Sequence, residues 1–426
     1  MLAGRLSEEA GRTICLVEAG PDYGAYAEGR WPEDILDACW LAIESHCWER
    51  DNEEDRSQLR ARILGGCSAH NACVMLRGAN VDYDEWGPGW TTSELRPYLE
   101  RAEKALRTHP LDPGVLSPWH RAFADGAGGD AILHDINTIG TVRWNAAFAY
   151  VDPARDRPNL TILADTLVDH VLLDGNRAKG IATSAGDITA STVVVAASAY
   201  GSPAILLRSG IGPETGLPVG ENLSDHVGVG MGWEPTDRLR DELARFEAEH
   251  DLWMAHVTVE LRSRSCPEGL WDLFLFPAAE PGCEISAAVF AMKPRSRGRV
   301  SLTSSDPRAP LAIEHGFLSD QTDEEVLVEG FERLREFGRS EPVRRFAARE
   351  IRPGEDVDAA THVRATARGF FHPTGTCRIG SVVDERGRVY GYEHLVIADA
   401  SIIPSIPRSN TNLSTAAVAE RLAEMI

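Results

Sequence analysis

The sequence predicts an α/β protein with two domains, one built on a parallel, doubly wound sheet and the other an α+β domain with an antiparallel sheet backed by helices. Three observations predict this class. An apolar, β-branched run at 13–17 ends on Glu18 and a turn. Short apolar runs at 160–163, 168–173 and 192–196 are typical of further buried strands. A separate group of strand-like runs follows at 253–261, 271–276, 286–292 and 298–302, with a helix at 323–337.

The first run belongs to a recognisable unit. Residues 2–10 have helical character and precede the strand at 13–17, which is the order of the helix and second strand in a βαβ unit. In dinucleotide-binding units of this kind, an acid at the end of the second strand binds the adenosine ribose. We therefore expect Glu18 to bind a ribose.

Composition sets the size class and excludes several functions. The chain has 426 residues, of which 43% are hydrophobic, and this length exceeds what one core usually supports. Its 43 basic and 65 acidic residues give a net charge of −22. Such an acidic chain is a poor partner for nucleic acid or anionic membranes.

The cysteines and the apolar segments indicate the compartment. Eight cysteines, one of them Cys283, occur without a CxxC pair, so neither a zinc site nor a disulfide framework is indicated, and we expect no bound metal. No export signal or membrane span is evident in the sequence. We therefore expect a cytoplasmic protein. The sequence does not indicate an oligomeric state.

A histidine and an asparagine near the C-terminus are the strongest candidates for chemistry. His372 precedes Pro373, and Asn410 follows on a distant turn. A histidine can accept a proton, and a short amide side chain can hold the hydroxyl that loses it, so together they suggest alcohol oxidation. The alternatives are a packed turn residue for His372 and a helix N-cap for Asn410. Because no side chain accepts a hydride, the site requires a cofactor.

Short motifs along nearly the whole chain indicate which cofactor this is. They lie at 2–8 with 16–20, 62–71 (RILGGCSAHN), 77–78, 82–86, 201–203, 209–213, 219–226 (VGENLSDH), 296–300 and in the block from residue 372 onward. In this order they resemble the glucose-methanol-choline (GMC) oxidoreductases, flavoproteins that oxidise alcohols. The resemblance implies a Rossmann-like FAD-binding domain and a substrate domain.

The resemblance also gives domain bounds. We expect residues 1–212 and 363–426 to form a discontinuous FAD-binding domain, with the excursion at 80–150 covering flavin and substrate. Residues 213–362 are expected to form the substrate-binding domain. Members of the family begin with a strand and a GxGxxG turn before the segment that matches 2–8. We therefore expect a sheet without its first strand, and favour a start assigned downstream of the true one over a variant without this turn.

The family's functional positions can be carried over residue by residue. The resemblance implies that His372 takes the hydroxyl proton as hydride passes to flavin N5, while Asn410 positions the substrate. His70 matches the histidine of choline oxidase that bonds covalently to flavin, and the alternative is a polar loop histidine near the flavin. The other expected contacts to FAD are Glu18, Gly65, Gly66, Ser68, Asn71, Val168, Phe371, Asp399, Ala400 and Thr411.

The sequence thus predicts an FAD-dependent oxidoreductase acting on the CH–OH group of a small-molecule alcohol. The electron acceptor is oxygen or another carrier, such as a quinone or the peptide-derived carrier mycofactocin. Two further alternatives remain. One is a lyase on the same fold, in which the flavin is structural. The other is an inactive truncated form, which the missing glycine turn suggests.

Overall fold

The structure, a computed structural model, describes residues 1–48, 58–254, 257–282 and 284–426. Part of the predicted strand 253–261 (residues 255 and 256), and Cys283, lie outside the described residues. The helices are α1 (Leu2–Leu6), α2 (Glu33–Leu36), α3 (Asn80–Asp84), α4 (Thr92–Ala105), α5 (Pro118–Ala127), α6 (Ser198–Arg208), α7 (Asp237–Glu247), α8 (Gln321–Gly338), α9 (Glu341–Arg344), α10 (Ala359–Thr366) and α11 (Thr411–Ala423). None of these described helices has the length and apolar character needed to cross a bilayer.

The strands range from two residues to the nine of β13. Those of the first half are β1 (Ile14–Val17), β2 (His109–Pro110), β3 (Ala131–Leu133), β4 (Asp135–Ile136), β5 (Thr138–Ile139), β6 (Val142–Arg143), β7 (Leu160–Leu163), β8 (Val168–Asp174), β9 (Arg177–Thr183), β10 (Ile188–Thr189) and β11 (Val193–Val195). Those of the second half are β12 (Glu221–Leu223), β13 (Val227–Pro235), β14 (Val257–Leu261), β15 (Leu273–Glu280), β16 (Glu284–Ala291), β17 (Gly298–Leu302), β18 (Leu311–Glu314), β19 (Ala347–Arg352), β20 (Arg368–Gly369) and β21 (Leu395–Ile397).

Two parallel pairs of strands form the first region. Strand β1 pairs with β7 in parallel, from Ile14 opposite Leu160 to Val17 opposite Leu163. Strand β11 pairs in the same sense with β21. Within the described residues neither pair is joined to another strand. Helix α11 packs into the core that contains β11 and β21, with Leu413, Ala416, Ala417 and Val418 fully buried. The predicted strands at 13–17, 160–163, 168–173 and 192–196 are therefore confirmed.

The second region is an antiparallel sheet with the strand order β19-β13-β16-β15-β14-β3, and β20 also pairs with β13. Helix α8 packs on this sheet so closely that a Cβ on Gly330 would lie 2.8 Å from Leu273 and 2.9 Å from Val289. The sheet takes β3 and β20 from sequence outside 213–362. It therefore draws strands from both sides of the boundaries that we expect for the substrate domain.

The central strand β13 is the main element that the sequence pattern does not reveal. Glycines at 228, 230 and 232 alternate along one of its faces, and glycine is a poor strand former. A Cβ on Gly228 would lie 2.2 Å from the Phe290 ring, so the glycine face makes room for side chains of neighbouring strands. Strand β13 begins immediately after Asp225 and His226, which fixes that pair at the end of the sheet.

Candidate active site

His372 lies on a turn that is held against the start of β13. Its backbone N–H donates to Asp225 Oδ1 at 2.9 Å, and the N–H of Phe370 donates to the same oxygen at 3.3 Å. Two further backbone hydrogen bonds join Thr374 and Ser224, at 2.8 and 3.1 Å. Phe371 takes the left-handed conformation, with φ of 63°, at the point where the chain turns. The local backbone therefore fixes where the imidazole of His372 stands.

Asn410 is at the N-cap position of α11, but its side chain does not cap the helix. Instead, its Nδ2 lies 3.3 Å from Nε2 of His372. The structure thus brings together the two residues that the sequence predicts to be catalytic. Because the amide is directed at the histidine ring and makes no cap bond, the geometry favours the functional interpretation of Asn410 over the structural one.

A second histidine meets the other side of the His372 ring. Nδ1 of His226 lies 2.9 Å from Nδ1 of His372, and Nε2 of His226 lies 3.0 Å from the carbonyl oxygen of Pro407. Burial lowers the pKa of His226 to about 3. Burial, then His226 and then Arg60 lower the pKa of His372 well below 6.5. Both rings are therefore neutral near pH 7.

The sequence motif VGENLSDH contains Asp225 and His226, but the motif by itself assigns neither of them a role in this site. Asp225 is fully buried, and burial raises its pKa to about 7. The available signal was the position of an adjacent acid and histidine directly before a glycine-rich run. That signal becomes informative only when β13 and β20 are known to pair.

Aromatic side chains adjoin the histidine pair. The ring of Phe370 lies 4.7 Å from that of His372, 5.9 Å from Phe276 and 3.7 Å from Phe290, on which it stacks. Behind them Phe274 is buried against Trp271 at 4.6 Å. This side of the site is therefore apolar and lined by flat rings.

The glycine-rich segment adopts the backbone that its two glycines allow. Gly65 and Gly66 have φ of 101° and 58°, followed by a short 3-10 turn. Ser68 Oγ donates to Gly65 O at 2.7 Å and accepts from Ala146 N at 2.9 Å. Asn71 Oδ1 accepts from Cys73 N at 3.0 Å. The side-chain oxygens of Ser68 and Asn71 therefore already hold this segment together.

His70 differs from its neighbours in this segment. It is only 4% exposed, and burial lowers its pKa to about 4. Its Nδ1 lies 3.9 Å from Cys47 Sγ, whereas its Nε2 has no hydrogen-bond partner among the described residues. A buried nitrogen without a protein partner is costly unless something else meets it.

Two further predicted cofactor residues lie at strand ends, Glu18 after the parallel strand β1 and Val168 at the start of the antiparallel strand β8. Glu18 follows β1, its Oε1 accepts from Gly20 N at 2.8 Å, and burial raises its pKa to about 7. Arg62 Nε donates to Ala19 O at 3.1 Å, which brings Glu18 close to the glycine-rich segment. Val168 is the first residue of β8.

Asp399 and Ala400 follow β21 directly. The carboxylate of Asp399 accepts from the backbone N–H of Ser198 and that of Ser401, both at 2.8 Å, and from Ser202 Oγ. Asp399 therefore caps turns at the ends of two adjacent strands. Ala400 O accepts from Gly375 N at 3.3 Å, which ties this turn to the segment that carries His372. Thr411 begins α11 and is buried.

These residues fit a cofactor with many polar groups. His70 Nε2 and Asn145 Nδ2 are buried and have no partner within the described part of the chain. They belong to, or adjoin, the segment 65–71, where the sequence predicts contacts to FAD. Buried polar atoms are normally satisfied, so these two orphaned atoms support a polar ligand at this place.

Comparisons with known proteins agree with this arrangement. Two family models described as GMC oxidoreductase match residues 4–228 and 294–419. The 5-(hydroxymethyl)furfural oxidase of Methylovorus sp. is 30% identical, over 100% of this chain and 96% of the relative. The oxygen-dependent choline dehydrogenase of Burkholderia ambifaria is 29% identical, over 100% and 91%. The solved structure of pyridoxine 4-oxidase from Mesorbium loti superposes with a TM-score of 0.85 at 24% identity, covering 100% of this chain and 96% of that one.

Proposed function

Because the chain belongs to the GMC oxidoreductase family, we propose that His372 is the base with which this FAD-dependent enzyme oxidises the CH–OH group of an alcohol. One observation carries the proposal. Asn410 leaves its helix N-terminus uncapped and directs its amide at Nε2 of His372, 3.3 Å away. A hydroxyl placed between the amide and the imidazole would be held by one and deprotonated by the other.

The roles of the two side chains follow from their chemistry. Asn410 donates a hydrogen bond from Nδ2 to the substrate oxygen, and His372 accepts the hydroxyl proton at Nε2. Asn410 cannot titrate in this range, so His372 is the only base in this pair. When bound, FAD supplies the hydride acceptor that no side chain can provide. The residues proposed to hold it are Glu18, Gly65, Gly66, Ser68, His70, Asn71, Val168, Phe371, Asp399, Ala400 and Thr411.

The proposed contacts to FAD differ in kind. The carboxylate of Glu18 accepts from Gly20 N, and as an acceptor with several lone pairs it can also accept from a ribose hydroxyl. Gly65 and Gly66 allow a backbone that other residues rarely adopt. The carboxylate of Asp399 is engaged within the protein, so its proposed part is to shape the turn that meets the cofactor. Thr411 offers a backbone N–H at the positive end of α11.

The proposed substrate class is an alcohol carried on a flat, uncharged ring. The rings of Phe276, Phe290 and Phe370 form an apolar wall beside His372, and aromatic faces favour stacking with a planar substrate. The relative that oxidises 5-(hydroxymethyl)furfural has a substrate of this kind.

Oxygen is the proposed electron acceptor, which the names of both curated relatives support.

The proposal predicts that 5-(hydroxymethyl)furfural bleaches the holoenzyme's flavin absorbance without oxygen. In air, one hydrogen peroxide should form for each alcohol consumed, and choline, a cationic alcohol, should be the poorer substrate by kcat/KM. Stopped-flow absorbance and a peroxide assay measure these results. Bleaching without peroxide would identify a different electron acceptor. Substrate conversion without bleaching would instead indicate the lyase alternative.

A separate prediction concerns how FAD is held. We propose that Nε2 of His70 would bond covalently to the 8α-methyl carbon of the flavin. One proton would leave the methyl group and one the imidazole, the flavin ring would take up the electron pair, and oxygen, the proposed acceptor, would remove that pair as hydrogen peroxide. The low pKa of His70 keeps the ring neutral near pH 7, and its buried Nε2 has no partner among the described residues. Holoenzyme precipitated in acid should therefore keep its yellow colour in the pellet, and His70→Ala should release all flavin to the supernatant.

A neighbouring histidine provides the control for this experiment. His46 bonds Tyr23 OH at 2.7 Å through Nε2 and Ser45 Oγ at 2.7 Å through Nδ1, so both of its ring nitrogens are engaged. His46→Asn should leave the flavin in the pellet. Mass spectrometry of the peptide that contains residue 70 should show the added mass of FAD. Flavin found wholly in the wild-type supernatant would make His70 a non-covalent contact.

A further inference from the structure

We infer that His226 is a positioning residue that fixes the tautomer of His372, so that the lone pair of the base is held at Nε2, on the side of Asn410. This inference deepens the proposed function and rests on it, because it assumes that His372 is the base. Two distances carry it. His226 Nε2 lies 3.0 Å from Pro407 O, and His226 Nδ1 lies 2.9 Å from His372 Nδ1.

The carbonyl group of Pro407 determines which nitrogen of His226 carries the hydrogen. A carbonyl oxygen only accepts hydrogen bonds, and the backbone of Met292 also faces this ring. Nε2 is the nitrogen of His226 that lies within hydrogen-bond distance of a carbonyl oxygen, 3.0 Å from Pro407 O, so Nε2 carries the hydrogen. A neutral imidazole has one N–H, which leaves the lone pair of His226 on Nδ1. Complete burial of His226 disfavours the doubly protonated ring, in agreement with this assignment.

The hydrogen bond with His226 in turn determines the tautomer of His372. Its Nδ1 faces the lone pair of His226 at 2.9 Å, so this nitrogen must carry the hydrogen and donate it. The lone pair of neutral His372 is therefore on Nε2, the atom 3.3 Å from the Asn410 amide. With the opposite tautomer, Nε2 would carry a hydrogen and could not accept the substrate's proton.

The protein holds both histidines of the hydrogen-bonded pair His226 and His372 in place. His226 is wholly buried and directly precedes β13, and Asp225 accepts a hydrogen bond from the backbone N–H of His372. The charged groups that face the two rings are Arg60 and Lys293, which disfavour protonation, while Asp225 binds the backbone beside them. Two nearby cations add to the cost of charging either ring. This environment favours the single neutral arrangement described above.

Two substitutions separate the hydrogen-bonding role of His226 from its bulk. Asparagine at position 226 can place an amide oxygen where Nδ1 stands and still accept the hydrogen from His372. Leucine fills similar space but accepts nothing. His226→Leu should lower kcat about 100-fold with KM changed less than about threefold, because general-base catalysis is worth about 10²- to 10⁴-fold and substrate binding is not affected. His226→Asn should recover most of this loss.

The variant His226→Asp tests the pH profile of the enzyme, which would not change if His226 had only a structural role. A carboxylate beside Nδ1 stabilises the protonated His372 ring and so raises its pKa. The acidic limb of the kcat/KM profile should therefore move to higher pH in His226→Asp than in wild-type enzyme. An unmoved limb in this variant, with kcat retained in His226→Leu, would overturn the inference.

The tautomer itself can be observed in holoenzyme labelled with ¹⁵N-histidine. Long-range ¹H–¹⁵N correlation spectra distinguish protonated from unprotonated ring nitrogens, and the His372 signals are identified by their loss in His372→Asn. We expect a protonated Nδ1 and an unprotonated Nε2 in wild-type and His226→Asn protein, and loss of this preference in His226→Leu. A protonated Nε2 in wild type would overturn the inference. If instead wild-type enzyme fails to oxidise alcohols, the proposed function fails, while the spectrum still reports the tautomer.

Discussion

Replacing His372 with alanine is expected to lower kcat/KM for the alcohol by about 10²- to 10⁴-fold, which is the usual contribution of a positioned general base. Asn410 cannot replace it, because an amide does not accept a proton in this pH range. The neighbouring His226 is directed away, with one nitrogen on Pro407 O and the other on His372 itself. The loss should appear in the chemical step, measured as the rate of flavin bleaching under anaerobic conditions.

The pH dependence of the wild-type enzyme follows from the same residue. Burial, His226 and Arg60 lower the pKa of His372, so the base stays neutral to a lower pH than a solvent-exposed histidine would. Activity is present above the folded-state pKa and is lost as the pH falls through it. The acidic limb of kcat/KM should therefore lie well below pH 6.5.

A matched control excludes a general effect of removing a histidine. His250 is exposed just beyond the end of α7, far along the chain from the site, and His250→Ala should leave kcat/KM within about twofold of wild type, as expected for an exposed position. Both variants must carry wild-type amounts of flavin, checked by the visible absorbance spectrum. A His372→Ala enzyme that keeps more than about a tenth of wild-type kcat/KM would contradict the assignment of His372 as base.

Local sequence pattern predicts those strands and helices in which the spacing of apolar residues matches the positions that are buried. The apolar runs at 13–17, 160–163 and 192–196 lie in parallel pairs, and the periodic helix expected at 323–337 is found as α8. Helix α1 is shorter than the expected 2–10, ending at Leu6. The turn that follows, at Ser7, returns the chain toward β1, and a single-turn helix of this kind leaves little periodicity to read.

The rest depends on contacts between distant segments, which no local pattern contains. Strand β13 cannot be predicted from its own residues, because Gly228 is required by the Phe290 ring on the neighbouring strand, which leaves no room for a side chain. The role of His226 becomes visible only when the turn at 371–374 is placed beside Ser224 and Asp225. His372 and Asn410 can be recognised in the sequence as a proton acceptor and an amide, and the family resemblance implies their roles. His226 also lies in one of the motifs, at 219–226, but the role that we infer for it depends on distances that the sequence does not contain.

Asp82 begins the motif at 82–86, but its structural role is not visible in the sequence, and its replacement has the largest expected effect on stability. Asp82 on α3 is completely buried and pairs with Arg408, whose side chain is 6% exposed. Its Oδ2 also accepts from Arg408 N at 2.7 Å, and Lys293 Nζ lies 3.0 Å from its Oδ1. Lys293 in turn donates to Ile406 O at 3.0 Å. These bonds hold the loop 405–409, which contains Pro407 and leads directly to Asn410.

We expect Asp82→Asn to lower the free energy of unfolding by about 3 to 5 kcal/mol, because it leaves a buried guanidinium without its countercharge. Asparagine has nearly the same shape, so the loss would come from charge and not from packing. Denaturant titration followed by tryptophan fluorescence measures it. The control is Glu314→Gln, which breaks the exposed pair of Arg299 and Glu314 and should cost less than about 1 kcal/mol.

A double variant separates the cost of the unpaired charge from the value of the pair. Replacing both partners of a buried pair with groups that need no countercharge is often nearly neutral, whereas removing one partner is not. Asp82→Asn combined with Arg408→Met should therefore recover much of the stability lost in Asp82→Asn, since Lys293 keeps Glu85 at 2.9 Å. Recovery of stability without recovery of kcat would show that Arg408 also positions the loop before Asn410. If Asp82→Asn is no less stable than Glu314→Gln, the buried pair does not hold this loop, and the geometry of Asn410 must have another support.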